Sequence, residues 1–132
     1  MTTRIFVSRD STALAFGADA TARAIAAEAQ KRGIDVTIVR NGSRGMFWLE
    51  PLVEIDAPGG RIGYGPIKAI DVPALFDAGF ERGQVHGLRV GPIDMITFFE
   101  RQERLTFARV GITDPVSVDD YRAHGGYRGL DN

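Results

Sequence analysis

Arg4-Ile5-Phe6-Val7-Ser8, an alanine-rich run from Asp19 to Arg32, and Asp35-Val36-Thr37-Ile38-Val39-Arg40 together decide the fold. In the first run Ile5 and Val7 point one way and Arg4 and Phe6 the other, the period-two pattern of a strand. In the second, Ala18, Ala22, Ile25 and Ala29 recur at helical spacing, while Arg23, Gln30 and Lys31 lie away from that face. Gly33 stands where a left-handed stop ends a helix. The third run is β-branched at Val36, Thr37, Ile38 and Val39, which suits a pleated, half-buried surface. The chain therefore opens β-α-β. An alanine face lets the helix approach its sheet closely, although each alanine contributes little burial.

Working outward, Asn41-Gly42-Ser43-Arg44-Gly45 reads as a flexible loop. Leu52 to Asp56 and Arg61 to Tyr64 read as a hairpin turning through Ala57-Pro58-Gly59-Gly60. Asp71 is expected to cap a short helix that begins near Val72-Pro73 and carries Leu75 and Phe76. The order β-α-β-β-β-α predicts an α/β domain over residues 1–82, two layers with a small mixed sheet and flanking helices. Residues 83–132 read as a C-terminal arm. His86 to Pro92 is expected to be a linker. A helix is expected from Ile93 to about Gln102, with Ile96 and Phe99 on one side, and Leu105 to Val110 is strand-like. Ser117-Val118-Asp119-Asp120 resembles a capping box with aspartate in the glutamate place, opening a short helix through Tyr121 that His124-Gly125-Gly126 would stop. The arm has no evident partner within residues 1–82 and is expected to pack on something else.

Composition narrows the function. Apolar residues make up 44% of 132, enough for a globular core. Sixteen basic residues against 17 acidic leave a net charge of −1 and no basic stripe, which argues against nucleic acid. Lysine occurs only at Lys31 and Lys68, so the cations are nearly all arginine, the residue better suited to bidentate interface contacts. The chain holds no cysteine, which removes thiol redox chemistry, disulfide exchange and any cluster bound through its own thiolates. Met1-Thr2-Thr3-Arg4-Ile5 enters a strand pattern without a charged-then-apolar leader, and no run approaches the roughly 18 apolar residues of a membrane span. Cytoplasmic residence is the expectation.

Each candidate site has a plainer reading beside it. His86 and His124 lack neighbouring metal-ligand spacing, so linker or capping roles stand against a metal site. Gly59-Gly60-Arg61-Ile62-Gly63-Tyr64-Gly65 reads as a hairpin with close packing rather than a nucleotide loop, because it does not join a strand to a following helix. Ser8-Arg9-Asp10-Ser11-Thr12 does precede a helix, where exposed amides can hold an anion, yet Asp10 would repel a phosphate and can cap the helix itself. Asp119-Asp120 reads as a helix-start charge pair rather than an acid–base couple. Arg44, Phe47, Trp48, Phe98 and Phe99 are candidate partner contacts, with Arg101 and Arg104 nearby, against ordinary core packing for each aromatic pair.

Leu105-Thr106-Phe107-Ala108-Arg109-Val110-Gly111-Ile112-Thr113-Asp114-Pro115, then Asp120-Tyr121 and His124-Gly125-Gly126-Tyr127, resembles the entry segment of flavoprotein subunits related to the 51-kDa subunit of respiratory complex I. Fused behind a thioredoxin-like domain, it looks most like the beta subunit of NAD-dependent, molybdenum-containing formate dehydrogenase. NAD-reducing hydrogenases share the arrangement. The resemblance covers essentially the whole chain and is most specific over residues 105–130. It implies a parent subunit with FMN, NAD and a four-iron cluster, all bound by residues downstream of Asn132. It also implies a small thioredoxin-like two-iron subunit and a large molybdenum subunit as partners. Residues 83–132 would then lead into a missing FMN/NAD domain, and the chain is read as the N-terminal part of a larger flavoprotein.

The same resemblance implies four cluster-ligand positions in the thioredoxin-like domain. The first pair falls on Ser8 and Ala13, with Gly17 as the accompanying glycine. The second falls on Ser43 and Phe47, with Gly45 between them and Pro51 following. None is cysteine, and Phe47-Trp48 is expected to fill the volume a cluster would take. The expected function is a non-catalytic docking domain with no catalytic, cofactor or metal residue of its own. A small anion- or nucleotide-binding module using the Ser8–Thr12 helix start is the alternative.

Overall fold

The computed structural model describes residues 2–130. Strand β1 (Thr3–Val7) leads through a short helix α1 (Ser11–Ala15) into α2 (Ala18–Arg32), then β2 (Val36–Val39). A 3-10 turn at Phe47–Leu49 precedes the hairpin β3 (Val53–Ala57) and β4 (Gly60–Tyr64). Helix α3 (Val72–Asp77), strand β5 (Arg89–Pro92), and the short helices α4 (Thr97–Glu100) and α5 (Val118–Ala123) complete it. The five strands form one mixed sheet in the order β2-β1-β3-β4-β5. Strand β2 runs parallel to β1, and the other pairings are antiparallel. The α/β reading of the sequence holds.

The alternation seen in the sequence separates the two faces of the sheet. Ile5, Val7, Val53, Ile55 and Tyr64 pack with Ala18, Ala22, Ile25 and Ala29 of α2 and with Leu75, Phe76 and Phe80. Phe80 sits edge-on to both Tyr64, at 5.7 Å between centroids, and Phe76, at 4.9 Å. Helix α2 ends at Gly33, whose φ of +67° is the left-handed conformation that glycine adopts without a Cβ penalty. Its Thr21 hydroxyl donates to Ile67 O at 2.9 Å, anchoring the alanine face below the hairpin exit. The opposite face of the sheet carries Phe6, Glu54 and Gly63. A second core of Met46, Leu52 and Ile93, joined by Leu49, Ile96, Phe98 and Phe99, forms there.

Several local readings are corrected. His86 to Pro92, expected as a linker, supplies β5, which pairs Ile62 with Pro92 and Gly63 with Gly91. The expected helix from Ile93 breaks at Ile96, where ψ is 124°. A continuous helix would set Phe98 roughly half a turn from Ile96 and take one of them off the second core, which both reach. Leu105 to Val110 forms turns rather than a strand. The arm also finds partners inside residues 1–82: Arg61 donates to Gly111 O at 2.6 Å and Ile112 O at 2.8 Å, and Asn41 Nδ2 donates to Gly111 O at 2.7 Å. Asp71 does not cap α3; its carboxylate accepts from Lys68 N at 2.9 Å and closes the turn before the helix. Ser117 does cap α5, accepting from Asp120 N at 3.1 Å, while the Asp120 carboxylate reaches Asp114 N instead of closing the box.

Candidate functional site

The loops that leave β1 and β2 meet at one end of the sheet. Arg9 N donates to Asn41 O at 3.0 Å, and Arg40 donates to Val7 O and Ser8 O while pairing with Asp19 at 2.7 Å. Asp10 accepts from Ala13 N and from the Ser8 hydroxyl, both at 3.1 Å, so the first turn of α1 is capped by a carboxylate. Within the Ser8–Thr12 segment the Ser8 hydroxyl thus goes to Asp10 and the Arg9 amide to Asn41 O, and the Asp10 carboxylate stands at the start of the five-residue helix.

Of the four implied ligand positions, Ser8 and Ser43 lie in these two loops, Ala13 in α1 and Phe47 at the start of the 3-10 turn. Ser8 and Ala13 are buried, Ser43 is half-buried, and Phe47 is 53% exposed. The residues do not fit an iron–sulfur cluster: alanine and phenylalanine have no donor, a serine hydroxyl is hardly ionised, and the sequence holds no thiol anywhere. Phe47 and Trp48 do not fill a vacated volume, since Trp48 is 62% exposed as well. The adjacent Met46 is the buried one, packed on Leu52 and Ile93, and Ala13 takes the interior place in α1. Behind them lies Glu50, almost fully buried. Its Oε1 accepts from the Ser43 hydroxyl at 3.0 Å and its Oε2 from Leu52 N at 2.8 Å. Burial pushes this carboxyl above the usual range, against the hydrogen bonds from Leu52 and Ser43 that hold it down, with Asp10 adding to the upward push.

A second polar group lies on the arm-covered face of the sheet. Glu54, 2% exposed, takes Arg44 in a bidentate grip at 2.6 and 2.9 Å and Arg61 at 3.2 Å. The hairpin register sets Arg61 opposite Asp56, diagonal to Glu54. Its guanidinium lies 3.4 Å from the Phe6 ring centre and reaches onward to the arm carbonyls. Burial draws Arg61 below its ordinary value while Glu54 draws it back up. Arg104 lies over Phe99 and donates to Arg44 O at 2.8 Å.

Of the five candidate partner contacts, Arg44 is buried and committed to Glu54, and Phe98 and Phe99 are half-buried in the second core. Trp48 and Phe98 meet edge-on at 5.4 Å, and Phe98 meets Phe99 at 5.3 Å, so the aromatics form one chain from surface to interior. Beside them opens a cleft of about 870 Å³, walled by Gly42–Gly45, Phe47, Leu105, Phe107 and Val110, with Asp10 and Glu103 at its edges. His86 accepts from Leu88 N, and His124 follows the last turn of α5. Among the described residues no three His, Cys, Asp or Glu side chains gather as a metal site. Gly59 and Gly60, with φ of +92° and +127°, make a hairpin turn.

Sequence reasoning missed Glu50, Glu54, Asn41 and Arg61. A signal existed for one of them: Glu54 stands in a strand between Val53 and Ile55, and a carboxylate in a central strand needs a partner if both faces are covered.

No family model matches the chain, and no curated protein does. Solved structures do. The wild-type thioredoxin-like [2Fe-2S] ferredoxin from Aquifex aeolicus aligns at 20% identity over 67% of this chain and 96% of its own, with a TM-score of 0.55. A second structure of a thioredoxin-like [2Fe-2S] ferredoxin from that organism aligns at 19% identity over 67% and 90%, with a TM-score of 0.56. A cysteine-to-serine variant gives 20% identity, 67% and 97%, and 0.54. At these identities the likeness establishes the fold, which is thioredoxin-like. No helix among the described residues is long and apolar enough to cross a membrane.

Proposed function

We propose that this chain is the non-catalytic docking part of the flavoprotein subunit of an NAD-dependent formate dehydrogenase, acting in the cytoplasm. In the parent complex electrons from formate pass through iron–sulfur clusters and FMN to NAD, and this part supplies shape and contact rather than a redox centre. The carrying observation is a fold shared with cluster-bearing ferredoxins whose four implied ligand positions, Ser8, Ala13, Ser43 and Phe47, offer no thiolate. The arm segment from Leu105 to Tyr127 supports the choice of parent. Residues 1–82, extended by β5, form the scaffold, and the arm leads toward the FMN- and NAD-binding domain. The partners are the small two-iron thioredoxin-like subunit and the large molybdenum subunit, met through Phe47, Trp48 and Phe98. The equivalent subunit of an NAD-reducing hydrogenase carries the same segments and is the nearest alternative parent.

Two measurements test this. Anaerobic incubation of the purified chain with iron and sulfide should leave no protein-bound visible absorption; a stable two-iron spectrum would overturn the reading. Co-expression with the two candidate partner subunits should yield a complex. Micromolar binding of FMN, NADH or formate by the chain alone, without such a complex, would favour a small-molecule module instead.

A further inference from the structure

The resemblance implies cluster-ligand positions in two segments, one after β1 and one after β2, which a bound cluster would tie together. Here the loops after β1 and β2 still meet, with main-chain contact at Arg9 and Asn41 and no thiolate to join them. A carboxylate buried to the extent of Glu50 is costly unless every oxygen is satisfied, so its presence at this junction needs a reason. Its two oxygens are divided between directions: one holds Ser43 of the β2 loop, the other holds Leu52 N at the entry to β3. Ser43 passes the restraint on by accepting from Gly45 N at 3.0 Å. The segment after β1 is joined to this one through Arg9 N on Asn41 O and Arg40 on Ser8 O, and Asp10 in turn fixes Ala13.

We propose that Glu50 is a buried pin that holds the segment after β2, and through its main-chain contact at Asn41 the segment after β1, against the start of β3, at the place where the resemblance would put a cluster. The comparison with a centre rests on the reading of the chain as a cluster-less ferredoxin fold; the pin itself rests on the hydrogen bonds. Glu50 is a positioning residue, and one of the four implied ligand positions, Ser43, is its hydrogen-bond partner.

The test is backbone hydrogen exchange on the full chain, followed by mass spectrometry. Glu50→Ala should speed exchange roughly tenfold or more over residues 8–15 and 41–47 together, while the β3–β4 hairpin stays protected. Glu50→Gln should restore most of the protection, because its amide still accepts from Leu52 N and bonds the Ser43 hydroxyl. Should Glu50→Ala fold poorly, Ser43→Ala removes the bond to Glu50 together with the one from Gly45 N and should loosen 41–47 without loss of the hairpin. Faster exchange confined to residues 50–52, or spread evenly over the chain, would overturn the proposal. So would a Glu50→Gln protein as loose as Glu50→Ala, or a Ser43→Ala protein unchanged. The iron–sulfide experiment is read on the unmodified chain, so a cluster band there would remove the ferredoxin reading while these exchange rates still decide the pin.

Discussion

Glu54 is the residue on which the second face of the sheet is built. It neutralises Arg44 at 2.6 Å and orients Arg61, and the three side chains are nearly or wholly out of water. Breaking such a group by removing one partner leaves the others buried without compensation, at about 3–5 kcal/mol. Glu54→Ala strands the Arg44 guanidinium, while Arg61 keeps Asp56 at 3.5 Å and the arm carbonyls, so urea unfolding should show a loss toward the low end of that range, and Glu54→Gln a smaller one. A loss below about 1 kcal/mol for Glu54→Ala would mean that water reaches the arginines freely. Tyr64 makes a pH-dependent contribution of known sign. Burial raises its pKa above the ordinary tyrosine value, and its hydroxyl donates to Gln84 O at 2.5 Å. With the folded value raised, the contribution is complete below the unfolded value near 10 and is lost as pH rises through the folded one. Ultraviolet titration of the three tyrosines should show a late-ionising group that Tyr64→Phe removes, and Tyr64→Phe should flatten the fall in stability at alkaline pH.

The arm is held as an element, and Gly111 is its fixing point. Its carbonyl takes both Asn41 and Arg61, its φ is +85°, and a Cβ there would lie 2.6 Å from Arg44 Cγ. Gly111→Ala therefore meets both a disfavoured backbone conformation and a packed side chain. Trypsin should cut Gly111→Ala several-fold faster at Arg104 and Arg109 than the unmodified chain, with the sheet intact by circular dichroism; equal rates would show that the arm is held elsewhere. This attachment also explains what the sequence concealed. Strands β1 and β2 and helix α2 were legible because alternation, helical spacing and Gly33 each act locally. Strand β5, Arg89-Val90-Gly91-Pro92, has neither alternation nor a β-branched run: Gly91, at a φ of +113°, pairs with Gly63, where Ile93 leaves no room for a side chain. Leu105 to Val110 misled for the opposite reason. Leu105 and Phe107 alternate as a strand would, yet both face outward, and the arm is secured through main-chain carbonyls that no hydropathy pattern records. Glu50 was hidden likewise: in the sequence it reads as a surface acid, and only the fold buries it against Ser43 and Leu52 N.

At the scale of the molecule, the exposed apolar side chains are unevenly placed. Leu105, Phe107, Val116, Val118, Tyr121, Tyr127 and Leu130 lie on the arm, while Phe47 and Trp48 lie at the loop end of the sheet. Scattered apolar residues are normal on a surface, but a cleft of about 870 Å³ lined by Phe47, Leu105, Phe107 and Val110 gathers part of this set in one place. If the chain docks as proposed, its single tryptophan reports the event directly, because Trp48 is 62% exposed and touches Phe98 at the edge of the second core. In the isolated chain Trp48 should emit at the long wavelengths of a hydrated indole and be readily quenched by iodide. Binding of the two-iron or molybdenum subunit should shift the emission to shorter wavelength and protect it from the quencher. Trp48→Ala should weaken that complex by about tenfold or more, as loss of an aromatic anchor does, while leaving the sheet's thermal unfolding nearly unchanged. A complex that forms with equal affinity and leaves Trp48 emission where it was would place the contact on another face, and the aromatic chain from Trp48 to Phe99 would then serve only to hold the arm to the sheet.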